Sequence, residues 1–336
     1  MIEPFPIHHS VADKLSPQFI EFYNQHYLYT TPVHLQSFIP VRLGVGDTPN
    51  PGSSPSLPVG AICDFTIPRH ESSGPAVKIR CFVPQGESPA SGWPVTLYYH
   101  GGGWVFGDIN SENNICSNLC ARAQSVVITT EYRLAPEVPF PAALDDSWET
   151  ILWILSAGAR MLNLDLSKVA ISGASAGANL AAAMTQKLVA RPDVSSQIDI
   201  RIQLLAAPVT DNTATVANNP TYKSYEHTAS LSAEKMLWYR AHYLPDPALQ
   251  SRPDVSPLLW SGDFARLPPA VILVGEVDIL RHEGQEYARK LQDAGVQTRL
   301  EVMEGMPHPF LSMDAVLDEG RRAITILCES LAQAIR

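Results

Sequence analysis

Residues 173–177 read Gly-Ala-Ser-Ala-Gly, a serine with a glycine two residues to either side. Such a pattern arises by chance in a chain of this length and composition with a frequency of about 0.08, so its context decides. A β-rich run, KVAIS, enters it and an Ala-rich run, ANLAAAMTQKLVA, leaves it. A strand-to-helix turn of this kind holds the serine in a strained conformation with its hydroxyl exposed. The glycines let strand and helix approach closely. The chemistry of an exposed, strained serine is nucleophilic attack. A second motif, His100-Gly101-Gly102-Gly103-Trp104, follows the apolar run PVTLYY. Three successive glycines let the backbone curl with several N–H groups facing one cavity, and such donors stabilise the oxyanion of acyl transfer by several kcal/mol. A phosphate cradle would want a following Lys-Ser/Thr, which is absent.

These motifs need a frame, and the pattern around them supplies one. AICDFTI (61–67) and VKIRCFVP (77–84) read as strands. PVTLYYH (94–100), VVITT (126–130), KVAISG (168–173), IQLLAAP (202–208) and AVILVG (270–275) are compact runs of the kind buried in a parallel sheet. Helix-length segments lie between or after them at about 111–123, 141–157, 176–190, 282–294 and 314–335. The alternation predicts an α/β fold, a mostly parallel central sheet covered by helices. Residues 16–43 read as helical and aromatic-rich, and the stretch 47–58 (DTPNPGSSPSLP) as a linker. Between Asp211 and Asp263 the rhythm breaks, giving an Asn/Thr-rich loop and a second aromatic cluster. We therefore expect a catalytic domain over 59–336, with a helical cap built from residues 1–45 and an insertion at about 211–262.

Six blocks carry a resemblance: HGGGW, EYRLAPE (131–137), FPAALDD (140–146), GASAGAN (173–179), GEVDILRHEG (275–284) and GMPHPF (305–310). In this order they resemble the hormone-sensitive-lipase (HGGG) family of α/β-hydrolase esterases, in its fungal type. The resemblance implies the α/β-hydrolase fold and carboxylic ester hydrolysis through Ser175, Asp278 and His308, in the chain order typical of that fold. It also implies an oxyanion hole made by the N–H groups of Gly102, Gly103 and Ala176. Three positions depart from the family pattern: Ala174 stands for the common Asp, Ala178 for Gly, and Pro309 for Gly.

The residues themselves give Asp278 and His308 independent support. Asp278 follows AVILVG, and His308 sits in a Gly/Met/Pro turn after TRLEVM, another expected strand. Loops at the carboxyl ends of parallel strands gather active-site groups. A serine needs a base to take its proton, and the base needs a carboxylate to hold its tautomer. Read this way alone, Asp278 could instead cap a helix and His308 could be a surface residue, and Glu276, Glu283 and His282 compete for the roles. Trp104, Trp238 and Tyr239 are the expected substrate-binding aromatics, and the clusters Phe19/Phe22/Tyr23/Tyr27 and Tyr222/Tyr225/Trp238/Tyr239 the expected cap lining. His100 reads as structural, as do Arg133, Glu137, Asp145 and Asp146, expected in buried Arg–carboxylate pairs.

Composition narrows the rest. The 336 residues are 45% hydrophobic and 17% charged, with a net charge of −10. An acidic chain lacks the footprint that a nucleic-acid backbone demands. No apolar run approaches a membrane span, and no secretory leader is evident. Five cysteines, an odd count, argue against a disulfide framework, and Cys116 and Cys120 read as buried thiols on one helix face. Gly44-Val45-Gly46 lacks a third glycine, and no metal-binding motif occurs, so neither metal nor organic cofactor is expected. The expectation is a cytoplasmic serine hydrolase acting on a small to medium uncharged ester through an acyl-enzyme, with a homodimer left open. An amidase or deacetylase, a thioester-releasing or acyl-transferring enzyme, and a non-catalytic receptor on the same fold are the alternatives.

Overall fold

The computed structural model describes residues 3–37 and 51–336; the Gly44–Gly46 stretch and the ends of the expected first cap segment and linker lie outside them. Eight strands form one sheet: β1 (Ala61–Ile67), β2 (Val77–Val83), β3 (Trp93–Tyr99), β4 (Val126–Glu131), β5 (Leu164–Ala174), β6 (Ile200–Ala206), β7 (Ala270–Gly275) and β8 (Thr298–Met303). Their spatial order is β1-β2-β4-β3-β5-β6-β7-β8. β2 runs antiparallel to both neighbours, and every other pairing is parallel. The expected fold class is the observed one.

Among the described residues, seven longer helices flank the sheet or cover its end. They are α1 (Pro17–His26), α2 (Asn113–Ala123), α3 (Ala142–Trp153), α4 (Ala176–Val189), α5 (Ala233–Tyr243), α6 (Arg281–Asp293) and α7 (Asp318–Ala334). β3 and β7 are buried along their whole length, which is why their sequences are unbroken apolar runs rather than alternating ones. β1 at the sheet edge keeps four of its seven residues exposed and bears Asp64, paired with Arg80 of β2. That charge blunts the open edge.

Strand order carries the functional consequence. The chain leaves β3, crosses to β4 on one side, then returns to β5 on the other side of β3. The carboxyl ends of β3 and β5 are thus adjacent at a switch point, where open α/β sheets hold their ligands. Tyr99 pairs with Gly173, so both sequence motifs leave the sheet side by side. Gly275 of β7 pairs with Met303 of β8, which brings the loops bearing Asp278 and His308 together in the same way.

Residues 211–262 contain no strand and hold α5, a one-turn helix Pro220–Ser224 and short 3-10 turns. Ser232 starts α5, its hydroxyl accepting the Lys235 N–H. This segment is tied into the sheet end by buried polar contacts. Asn179 Nδ2 donates to Val209 O and Val255 O, Thr221 Oγ1 to Ile279 O, and Thr228 Oγ1 to Val277 O. Buried Arg240 donates to Ala214 O and Tyr222 Oη. α1 opens with Ser16, whose hydroxyl accepts the Phe19 N–H, and with Pro17 in its first turn. The Ser16 N–H donates to Gly305 O, fastening the N-terminal segment beside the His308 loop. Among the described residues no helix is long and apolar enough to cross a membrane.

Candidate active site

Ser175 sits between β5 and α4 with φ +54° and ψ −118°, outside the regions a serine ordinarily occupies. The turn closes only because its flanks lack side chains: a Cβ on Gly177 would overlap Tyr99 O at the end of β3. The hydroxyl of Ser175 lies 2.8 Å from His308 Nε2, and His308 Nδ1 lies 2.8 Å from Asp278 Oδ2. Asp278 is buried and its second oxygen accepts the Leu280 N–H at 3.0 Å; Leu280 itself precedes α6 as its N-cap and no side chain caps that helix, so Asp278 is not the cap that the sequence left open. The competitors lie elsewhere. Glu276 accepts the Gly305 N–H, and Glu283 accepts the N–H groups of Thr210 and Asp211. His282 takes part through its backbone N–H, which donates to Thr221 Oγ1.

The glycine loop borders the same cavity. The N–H groups of Gly102, Gly103 and Ala176 donate to no protein group among the described residues. Gly102 O instead accepts the N–H groups of Val105 and Phe106, which turns the loop back on itself. His100 is buried and stacked on Tyr132 at 4.1 Å. Its Nδ1 lies 2.7 Å from Gly101 O, and burial holds its pKa down at about 4. It is a structural group, as expected. Arg133 pairs with buried Asp146, which also receives Arg69, so one carboxylate of the expected set serves two arginines; Glu137 is exposed and Asp145 half-buried.

A cavity of about 810 Å³ opens over Ser175. Tyr239 and Trp104 line it, and a Cβ on Gly103, whose φ is +62°, would overlap the Tyr239 ring. Trp104 is buried in the wall rather than at the mouth, its ring stacked on Tyr243 at 4.4 Å. Trp238 requires a correction, because it is not in the cavity wall. Its ring packs on Phe106 and edge-on to His242, behind Tyr239. The two aromatic clusters are corrected in the same sense. Tyr23, Tyr27 and Tyr239 line the cavity, whereas Phe19, Phe22, Tyr222 and Tyr225 pack the protein interior.

Sequence reading missed polar residues of this wall, among them Glu112, Lys235 and His34. Glu112, in the loop before α2, accepts Tyr98 Oη–H at 2.6 Å and the Gly101 N–H at 3.3 Å, beneath the glycine loop. Burial pushes its pKa up to about 7, against the opposing pull of those two donors. Lys235 on α5 and His34 in the turn Val33–Leu35 border the same cavity. Nothing in their spacing singles them out. The five cysteines are all free thiols, and Cys116 and Cys120 are buried on α2.

Comparison with known proteins places this geometry in a family. Residues 96–312, more than half of the chain, match the Abhydrolase_3 family, described by its alpha/beta hydrolase fold. The chain belongs to that family, and the resemblance carried by the six blocks is borne out. It is 41% identical over 319 residues to an AB hydrolase superfamily protein of Schizosaccharomyces pombe, covering 94% of this chain and 93% of the relative. It is 33% identical over 260 residues to the ethyl acetate hydrolase of Pseudomonas putida, covering 77% and 79% of the two chains. An α/β hydrolase enzyme from the metagenome of Lake Arreo superposes with a TM-score of 0.85 at 28% identity, over 96% of this chain and 98% of its own. EstE1, a thermostable carboxylesterase from a metagenomic library, superposes at 0.75 with 33% identity, over 83% and 90%.

Proposed function

We propose that this protein is a serine carboxylesterase in which Ser175 is the nucleophile, His308 the general base and acid, and Asp278 the carboxylate that orients His308. It hydrolyses carboxylic esters, as its membership among esterase-type α/β hydrolases supports. The single observation that carries the residue assignment is the continuous hydrogen-bonded line Ser175–His308–Asp278, with 2.8 Å at each step. His308 takes the Ser175 proton as the oxygen attacks the ester carbonyl. The tetrahedral oxyanion is received by the N–H groups of Gly102, Gly103 and Ala176. Collapse expels the alcohol, which leaves with the proton from His308. Water then repeats the sequence on the acyl-enzyme, releasing the acid and restoring Ser175.

A cavity of about 810 Å³ lined mainly by apolar groups admits a small to medium ester. The reading includes a catalytic domain over residues 59–336 under a cap drawn from the N-terminal segment and residues 211–262. Its support is that both segments contribute cavity wall. Cytosolic residence belongs to the same reading, supported by five unpaired thiols.

The test combines a covalent probe with a substrate panel. A fluorophosphonate should label Ser175 in the wild type and leave a folded Ser175→Ala variant unlabelled. Acetate to octanoate esters should be turned over far faster than a matched amide. Labelling that persists in Ser175→Ala would reject the nucleophile, and faster amide than ester turnover would reject the carboxylesterase reading.

A further inference from the structure

Among the described residues, Lys235 is the sole lysine or arginine in the wall of the cavity over Ser175. Its ammonium has three donors, and the structure occupies one, with Ser230 O at 2.7 Å. No carboxylate among the described residues lies within ion-pair reach of it. The nearby Glu234 carboxylate points outward, well exposed, 3.7 Å from His34 Nε2. Burial holds the Lys235 pKa down at about 8, the direction that lost hydration alone produces. His34 stands beside it; burial foremost, and then the lysine charge, disfavour its imidazolium against the opposing pull of Glu234. The ring is largely buried, and its Nδ1 is a buried polar atom with no partner.

A cavity-wall ammonium with a single protein acceptor favours a ligand that supplies the acceptors it lacks. An ammonium with two donors not taken by the protein is completed by an anionic, two-oxygen group. We propose that Lys235, with His34 beside it, forms a carboxylate subsite, so that the preferred substrates are esters that also carry a free carboxylate. This rests on the esterase reading above and departs from the uncharged substrate expected from sequence.

The geometry also sets a minimum length. Lys235 and Tyr239 are one helical turn apart on the same face of α5, about 6 Å along its axis. Tyr239 covers Gly103 of the glycine loop. The ammonium reaches back from there towards Ser230, so the carboxylate is held at least one turn from the carbonyl under attack, and diacids of increasing length sample that separation. Other ionisable groups of the wall are Glu3, His8, Glu112, His227 and His308. Glu112 is engaged by Tyr98 and Gly101 below the glycine loop, and so leaves the Lys235 end to a ligand acid.

The experiment compares monoethyl with diethyl esters of succinate, glutarate and adipate, using the wild type, Lys235→Met and Lys235→Arg. In the wild type at least one monoester should exceed its diester in kcat/KM. Lys235→Met should lower that monoester-to-diester ratio by roughly 10- to 100-fold, the weight of a charge-assisted hydrogen bond, and Lys235→Arg should restore most of it. Were Lys235 merely holding Ser230 O, both esters would fall together and the ratio would not move. A wild-type ratio at or below one for all three acids, or a ratio unmoved in Lys235→Met, overturns the subsite. Should Lys235→Met not fold, the wild-type ratio and competitive inhibition of ethyl acetate hydrolysis by the free dicarboxylates decide; no inhibition by any of them overturns it. Failure to hydrolyse any ester would instead reject the esterase reading itself.

Discussion

Replacing Asp278 by asparagine removes a charge but almost no volume, so the hydrogen bonds around the side chain decide how the variant behaves. Asp278 Oδ1 accepts the Leu280 N–H at 3.0 Å, and Oδ2 faces His308 Nδ1 at 2.8 Å. In Asp278→Asn one of these positions becomes an NH2 group. Leu280 N–H can only donate, so the amide oxygen must face it and the amide nitrogen must face His308. The opposite orientation would set donor against donor in a buried site, at a cost of about 1–3 kcal/mol. Nδ1 must then accept, which puts the imidazole proton on Nε2. That nitrogen lies 2.8 Å from the Ser175 hydroxyl and can no longer take its proton. The expected loss in kcat is about 10⁴-fold, or about 5 kcal/mol of barrier.

Glu283→Gln is the matched control. Glu283 is buried and accepts the Thr210 and Asp211 N–H groups through Oε1, while Oε2 has no partner. Burial pushes its pKa well above the usual carboxylate range, which favours the neutral acid and makes an amide a close mimic. Its kcat should stay within about threefold of wild type, since one neutral hydrogen-bonding group replaces another. Steady-state hydrolysis of p-nitrophenyl acetate by both variants, with thermal melts to confirm folding, provides the comparison. An Asp278→Asn enzyme that keeps more than about a tenth of wild-type kcat, or that outperforms Glu283→Gln, would refute the tautomer argument.

Two further outcomes are expected. Tyr239→Ala should change the preference between bulky esters and acetates by about 1–3 kcal/mol in kcat/KM, whereas Trp238→Ala should lower the melting temperature and affect all esters alike; a reversed ranking in a substrate panel rejects the placement of these rings. Glu112 binds its proton more tightly folded, with a pKa of about 7, than at its ordinary 4.5, so wild-type stability loses its contribution as pH rises through that window. The melting temperature of Glu112→Gln relative to wild type should therefore climb between pH 4.5 and 7 and level off above, and a flat difference would show that Glu112 titrates normally.

Much of this architecture was legible because burial on two faces writes an unambiguous pattern. β7 runs over the same residues, 270–275, that its apolar sequence delimits. β5 was less legible at its start. It begins at Leu164, four residues before the expected Lys168, since DLSK is half-buried or exposed and carries no apolar run. The serine turn and the glycine loop were readable because their backbone geometry restricts residue type. Trp238 was not. Adjacent helix positions point about 100° apart, so of Trp238 and Tyr239 only one can face Gly103, and aromatic content does not say which. Glu112, His34 and Lys235 left no local signature because their neighbours are distant in sequence: Tyr98 and Gly101 for the first, and each other for the last two.

The glycine loop illustrates how this site obtains rigidity from residues whose own backbone is the least restrained. Three successive glycines allow dihedrals that side chains would forbid, including φ of +112° at Gly102 and +62° at Gly103. That freedom would be a liability for an oxyanion hole, whose donors must be oriented before charge develops. The neighbours remove it from every side. Tyr132 Oη donates to His100 O, Glu112 receives the Gly101 N–H, and Val105 and Phe106 close on Gly102 O. The Tyr239 ring then sits where a Gly103 side chain would be. The last of these contacts comes from α5 in the segment 211–262, so a residue that lines the cavity also packs on the glycine loop. If the glycine loop is the oxyanion hole proposed above, substrate fit and transition-state stabilisation share one contact, and a substitution that moves Tyr239 should alter both.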